Sequence, residues 1–318
     1  MAELNLQNQT LDENNPYRFM NSIAWINACV REATTDVILR FGDRYVSPGL
    51  ALIIRALSDE LAESPTKNRR LRFKGADYLD HPEMQQFFHE SGLVQSIDRV
   101  SQQYLDRISS TKKSGSKKAN ETPRAQIVAP HKIDLIELKN LSKVEQKVKL
   151  VSEVNSIFSL LKEAYPDADF DSMISMLIEL FSNALFHSYS KKAYSMAVRM
   201  RDGGYFIGIY DLGIGIPGAY ERYRNNNEDK VGLSHKTDGE AIAWAMEEGH
   251  STLQVTEDYP RGAGFSRIKD FIREYGGKIL IASNKGYYCF ESGKEEIAAE
   301  LSWKIKGTLF MMFLQHRE

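Results

Sequence analysis

The stretch ELFSNALFHS, Glu179 to Ser188, places Glu179, Asn183 and His187 at i, i+4 and i+8. At 3.6 residues per turn these positions drift by only about 40° per step, so a helix projects all three from one side. Leu177, Leu180, Phe181 and Leu185 supply an apolar face for the same helix, which the pattern predicts over about Phe170 to His187. A carboxylate can orient a water, an amide oxygen suits a hard divalent cation, and an imidazole can sit beside an anion. Phosphate chemistry is the reading that joins the three. Taken alone, a solvated stripe on a surface helix explains them as well.

Composition narrows the choice. The chain has 318 residues, 42% hydrophobic and 26% charged, with a formal net charge of -2. It is long enough for two domains with real cores and offers no global basic field for nucleic acid or anionic membrane. Cys29 and Cys289 lie far apart in sequence and suggest neither a disulfide framework nor a metal cluster. No apolar run approaches the ~18 residues of a membrane span. The first residues are polar and acidic, without the basic and apolar regions of a signal peptide, so a cytoplasmic protein is expected.

Ser109 to Pro123, SSTKKSGSKKANETP, lacks hydrophobic periodicity and reads as a linker. The expected division is an N-terminal unit over 1–108, a Lys/Ser-rich linker over 109–125 and a C-terminal unit over 126–318. Before the linker, Asp36 to Phe41 and Arg70 to Phe73 look like strands. Pro48 to Leu61 and Pro82 to Glu90 look like helices, the first begun by Ser47-Pro48. After it, a helix is expected over Lys143 to Ala164. A hairpin follows over Ser195 to Met200 and Tyr205 to Tyr210 around Asp202-Gly203-Gly204, then strands over Lys278 to Ala282 and Ser302 to Phe313.

Three further segments bear on the chemistry. YDLGIGIPGAY places Asp211 at a strand end, followed by Gly213, Gly215 and Pro217, so backbone can approach a flat ligand while the carboxylate accepts a hydrogen bond from it. RGAGFSRIKDFI sets Gly262 and Gly264 before an amphipathic helix, whose first N–H groups form an anion site. KGTLFMMF puts Gly307 and Thr308 at the start of a strand.

In this order, ELFSNALFHS, DLGIGIP, RGAGF and Gly307-Thr308 resemble the nucleotide-binding boxes of the GHKL, or Bergerat-fold, ATPase superfamily, over about Ile127 to Leu314. The resemblance implies an α/β sandwich with a mixed, largely antiparallel sheet, helices on one face and ATP between the two. Carried over, Asn183 reaches Mg²⁺ and Glu179 is the catalytic base. Asp211 reads the adenine amino group with Thr308 in support, Gly213 and Gly215 border the base, and Gly262 and Gly264 meet the phosphates. His187 contacts phosphate, hydrogen-bonds Glu179 and tunes its basicity, or is a structural histidine. Ala219 to Pro260, with a helix over Gly239 to Glu248, takes the place of a mobile ATP lid, and His250 and Arg261 near its end are candidates for phosphate contact. Because a carboxylate only accepts, it suits the adenine amino group and faces a carbonyl in guanine. ATP over GTP is expected.

The N-terminal unit resembles more faintly a STAS-like regulatory domain, through Ser47-Pro48-Gly49, Tyr78-Leu79 and Phe87-Phe88. His131 lacks the helical setting of a phosphoacceptor histidine. The resemblances together imply an ATP hydrolase, a protein kinase acting on another protein, or a non-catalytic ATP sensor. A protein partner would meet the N-terminal unit or the lid, and a homodimer is compatible with either.

Overall fold

The structure, a computed structural model, describes residues 2–6, 15–40, 47–63, 71–74, 127–164, 174, 177–178, 180–184, 188–200, 204–227, 234–247, 249–250 and 264–315. Glu179, His187, Arg261, Gly262, the expected helix over Pro82 to Glu90 and the linker lie outside these residues.

The N-terminal part is a βαβαβ unit: β1 (Ala2–Asn5), α1 (Pro16–Glu32), β2 (Val37–Arg40), α2 (Pro48–Ala62) and β3 (Leu71–Lys74). The strands pair in parallel in the order β1-β2-β3. Successive right-handed crossovers in one direction leave both helices on the same face. Both helices start at a side-chain cap followed by proline. Asn15 accepts from the Arg18 N–H and Ser47 from the Leu50 N–H at 3.3 Å.

The C-terminal part carries β4 (Ile127–Asp134), α3 (Leu135–Asn140), α4 (Lys143–Ala164), β5 (Lys192–Arg199), β6 (Tyr205–Asp211), α5 (Gly215–Asn225), α6 (Asp238–Ala245), α7 (Gly264–Tyr275), β7 (Lys278–Glu291) and β8 (Ile297–Leu314). Residues 180–184, with 174 and 177–178, are helical. The five strands run β4-β5-β6-β8-β7, and every pairing is antiparallel. The largely antiparallel sheet expected of this part is present; among the described residues its pairings are all antiparallel rather than mixed, and the parallel pairs belong to the small N-terminal sheet. The fold class is α/β overall.

Both faces of the large sheet are covered. On one, Ile207, Ile279, Ile281 and Met312 pack with Val154 and Leu161 of α4, Leu177, Leu180, Phe181 and Ala184 of the helical segment, Ile242 of α6 and Ile268 and Ile272 of α7. On the other, Tyr194, Met196, Phe206, Leu280 and Met311 join a core with Phe19, Ile23 and Val30 of α1 and Leu52, Ile53 and Leu57 of α2. That core also includes Val37, Leu39 and Leu71 of the small sheet, so α1 and α2 lie between the two sheets. Each fully buried large side chain contributes roughly 1.5–3 kcal/mol. The layers are thus small sheet, two helices, large sheet, helices. Close approach makes this packing possible: a Cβ at Gly208 of β6 would sit 2.9 Å from a methyl of Leu52.

The N-terminal unit therefore forms the back wall of the C-terminal sheet. Ion pairs follow the same seam, with Glu63 after α2 meeting Lys132 of β4 at 2.7 Å and also Lys192 of β5. Cys29 and Cys289 are free thiols. Among the described residues no helix is long and apolar enough to cross a membrane.

Candidate functional site

The helix bearing Asn183 is ordered by burial. Leu177, Leu180, Phe181 and Ala184 recur at i, i+3, i+4 and i+7 and are all buried, while Asn183, off that stripe, is half-buried. Ser188 and Ser190 then meet the glycine segment. Ser188 donates its hydroxyl to the Ala184 carbonyl and accepts the Ile214 N–H on its own carbonyl at 2.8 Å. Ser190 accepts from the Leu212 N–H at 3.2 Å. The end of the Asn183 helix and the Asp211–Gly215 turn are therefore joined. A side chain at Gly213 would collide with the Ser188 carbonyl.

Asp211 ends β6 opposite Thr308 of β8 and is 5% exposed. Burial pushes its carboxyl up to about 7, against the pull of hydrogen bonds from the Gly213 N–H and from the Thr308 N–H and hydroxyl. The Gly213 bond is 2.8 Å long. A carboxylate offers about four lone-pair sites, so the Gly213 N–H and the Thr308 groups beside it leave capacity for a further donor. Such a group can hold a ligand N–H firmly.

Thr308 is itself positioned. Ser283 of β7, fully buried, accepts the Ile216 N–H at 2.9 Å and lies 3.0 Å from the Thr308 hydroxyl and 2.9 Å from the Gly307 carbonyl. With the Thr308 proton directed at Asp211, Ser283 must donate to one of the latter two. Gly307 has φ +76, and a side chain there would collide with the Asp211 carbonyl. Gly215, also at φ +76, begins α5 with Pro217 in its first turn.

Gly264 begins α7, and the neighbouring Phe265 stacks on Phe310 of β8 with centroids 6.4 Å apart. This holds the start of α7 over the same strand that carries Thr308. The structure thus brings together the Asn183 helix, Asp211, Gly213, Gly215 and Thr308, with α7 packed onto the shared sheet.

Within the expected lid the helix read over Gly239 to Glu248 is present as α6, while 228–233, 248 and 251–260 lie outside the described residues. Ala219 lies inside α5. Thr237 and Glu240 form a reciprocal capping box that starts α6, which docks on the β7–β8 hairpin. Asp238 accepts the Lys285 N–H at 2.9 Å, Glu300 accepts the Gly239 N–H at 2.7 Å, and Ile242 and Met246 are buried. His250 stacks on Trp244 at 4.6 Å and bonds the Trp244 carbonyl through Nδ1 at 2.8 Å, so it caps α6. A cleft of about 290 Å³ between Pro217, Glu221, Lys236, Asp238 and Glu300 includes none of the expected site residues.

The sequence reading passed over Ser188, Ser190 and Ser283. The visible signal for Ser283 is Ser283-Asn284 breaking the apolar run Ile279 to Ala282 at the level of the site. No protein-family model matches the chain, and neither a curated protein nor a solved structure gives a match.

Proposed function

We propose that the chain is an Mg²⁺-dependent ATP-binding regulatory protein of the GHKL type, which hydrolyses ATP or passes its γ-phosphate to a partner protein and so switches protein–protein contacts. The observation that carries this reading is Asp211, a buried carboxylate held by Thr308 and Gly213 with acceptor capacity to spare. Asp211 accepts the exocyclic amino group of adenine, and the turn at Gly213 and Gly215 lets the base lie against backbone. The first N–H groups of α7, from Gly264, face phosphate, together with the segment that includes Gly262. Asn183 offers its amide oxygen to Mg²⁺, a fit supported by its half-buried place beside the apolar stripe. The bound cation would neutralise phosphate charge during the reaction.

Glu179 acts as the general base and His187 as a phosphate contact or a partner of Glu179. The antiparallel sheet, with the helices of the candidate site on one face, supports a Bergerat-type domain. The N-terminal βαβαβ unit supports a STAS-like element that meets the partner, in a cytoplasmic setting. Residues between α5 and α7 take the role of the lid.

Incubation of the pure protein with γ-labelled ATP and Mg²⁺ tests the reaction. Label leaving as phosphate marks a hydrolase, and label on protein marks a kinase. Tight binding without either marks a sensor. Glu179→Ala should bind ATP and stop turnover, whereas unchanged turnover removes the base assignment.

A further inference from the structure

Lys306 and Gly307 are two extra residues on β8. Ser283 pairs with Thr308 but its neighbour Asn284 pairs with Ile305, so the ladder is interrupted beside the candidate site. The pairing of β8 with β6 stops at Asp211 and Thr308. A backbone released from its ladder needs other partners when buried.

Those partners come from the N-terminal helix. Asn27 of α1 is fully buried, and its Oδ1 accepts the Lys306 N–H at 3.3 Å. Its Nδ2 donates to the Tyr210 hydroxyl at 2.9 Å, and that hydroxyl donates to the Lys306 carbonyl at 2.9 Å. The ring closes on itself: one amide side chain and one phenol satisfy both backbone groups of Lys306. Tyr210 immediately precedes Asp211, and Lys306 lies two residues before Thr308.

The amide is held in turn. Arg31 donates Nε to Asn27 Oδ1 at 3.1 Å and pairs with Glu60 of α2, which also meets the Lys306 ammonium at 2.9 Å. Farther back along α1, Tyr17 donates to the Glu300 carbonyl at 2.8 Å and Asn21 accepts the Ser302 N–H at 2.9 Å. Helix α1 therefore tracks β8 through residues 17, 21 and 27 against 300, 302 and 306.

We propose that Asn27 is a positioning residue for the nucleotide site, an N-terminal side chain that fixes the ends of β6 and β8 on either side of the Asp211–Thr308 pair. The inference rests on the ATP reading above and adds to it. The N-terminal unit builds adenine recognition from behind the sheet. Strand alternation explains how: Tyr210 points to the α1 side while Asp211 points to the opposite face. Losing the Asn27 donor turns the Tyr210 hydroxyl away from Lys306, and the bulge that presents Thr308 loses its register.

The test compares ATP and GTP affinity for the full-length wild-type protein, Asn27→Asp, Tyr210→Phe and the double variant. Asn27→Asp keeps the acceptor for Lys306 and Arg31 and replaces the donor with an acidic oxygen, a charge that Tyr210→Phe does not introduce. Wild type should prefer ATP. Each single variant should lose about tenfold in ATP affinity, the scale of one buried hydrogen bond, with GTP affinity unchanged. The double variant should be no weaker than the weaker single, because both remove the Asn27–Tyr210 bond on which the Tyr210 contact with Lys306 depends. An ATP to GTP ratio that stays at the wild-type value, even in a variant with a lowered melting temperature, overturns the inference and leaves the ATP reading standing. Wild-type protein that binds no ATP overturns both. If Asn27→Asp does not fold, Tyr210→Phe alone decides by the same ratio.

Discussion

Asp211 and Thr308 face each other at the last rung between β6 and β8, and the N–H and hydroxyl of Thr308 lie where they favour the ionised Asp211 carboxylate. Gly307, at φ +76, lets β8 pass close enough for this. Among the described residues Asp211 is a buried carboxylate, and the pair ties it to two adjacent strands of the large sheet.

Stability should respond to the Asp211 proton. The native carboxyl is pushed up to about 7, from an ordinary value of 3.8, so between these limits the native state holds a proton that the unfolded chain has released. Stability contributed by this group therefore falls as pH rises through the window and levels off above about 7, by an amount on the order of a few kcal/mol. Urea unfolding of wild type and Asp211→Asn across this range should show the difference between the two changing with that sign. ATP affinity should move oppositely, rising as the carboxylate ionises.

Ser283→Ala removes the acceptor for the Ile216 N–H and the donor to Gly307 or Thr308. Leaving these buried groups unpaired should cost about 1–3 kcal/mol in chemical unfolding and weaken ATP binding with it.

Gly307→Ala should cost more than the roughly 1–2 kcal/mol of left-handed strain, because the new methyl also meets the Asp211 carbonyl. A drop in melting temperature together with lost ATP binding checks this.

A fragment comprising 126–318 should not behave as an independent domain. It would expose Tyr194, Met196, Phe206, Leu280, Tyr287 and Met311, which α1 and α2 now cover. Aggregation, or strong binding of a hydrophobic dye, is the expected outcome for the fragment against the full chain.

Where polar and apolar residues alternate cleanly, the sequence is readable. Helix α4 runs over the same residues, Lys143–Ala164, that its period predicts, and α2 starts at the Ser47-Pro48 signal. Helix α1 escaped because it is covered on both sides by sheets. Phe19, Ile23, Ile26, Asn27 and Val30 are all buried, so no clean polar face marks it. Helix α5 was hidden by Gly215 and Pro217, which look like a turn but begin a helix. Strand β8 extends back to Ile297 through Ala298, Ala299 and Glu300, which carry little strand signal and are ordered by pairing with β7 and by contact with α6. In the candidate site, Asp211, Gly213 and Gly215 stand out in the sequence as a strand end followed by alternating glycines. Asn27 and Ser283 did not, because their roles arise from packing between distant segments.

Calorimetric titration of Mg²⁺-ATP and Mg²⁺-GTP into wild type and Asp211→Asn at about pH 8 tests the central claim most directly. In the variant an amide N–H would face the Gly213 or Thr308 donors, so the group cannot keep both its protein partners and its ligand. The account predicts that wild type binds ATP at least about tenfold tighter than GTP and that Asp211→Asn loses this preference. Equal affinity for the two nucleotides in wild type, or an unchanged ATP affinity in the variant, would contradict it.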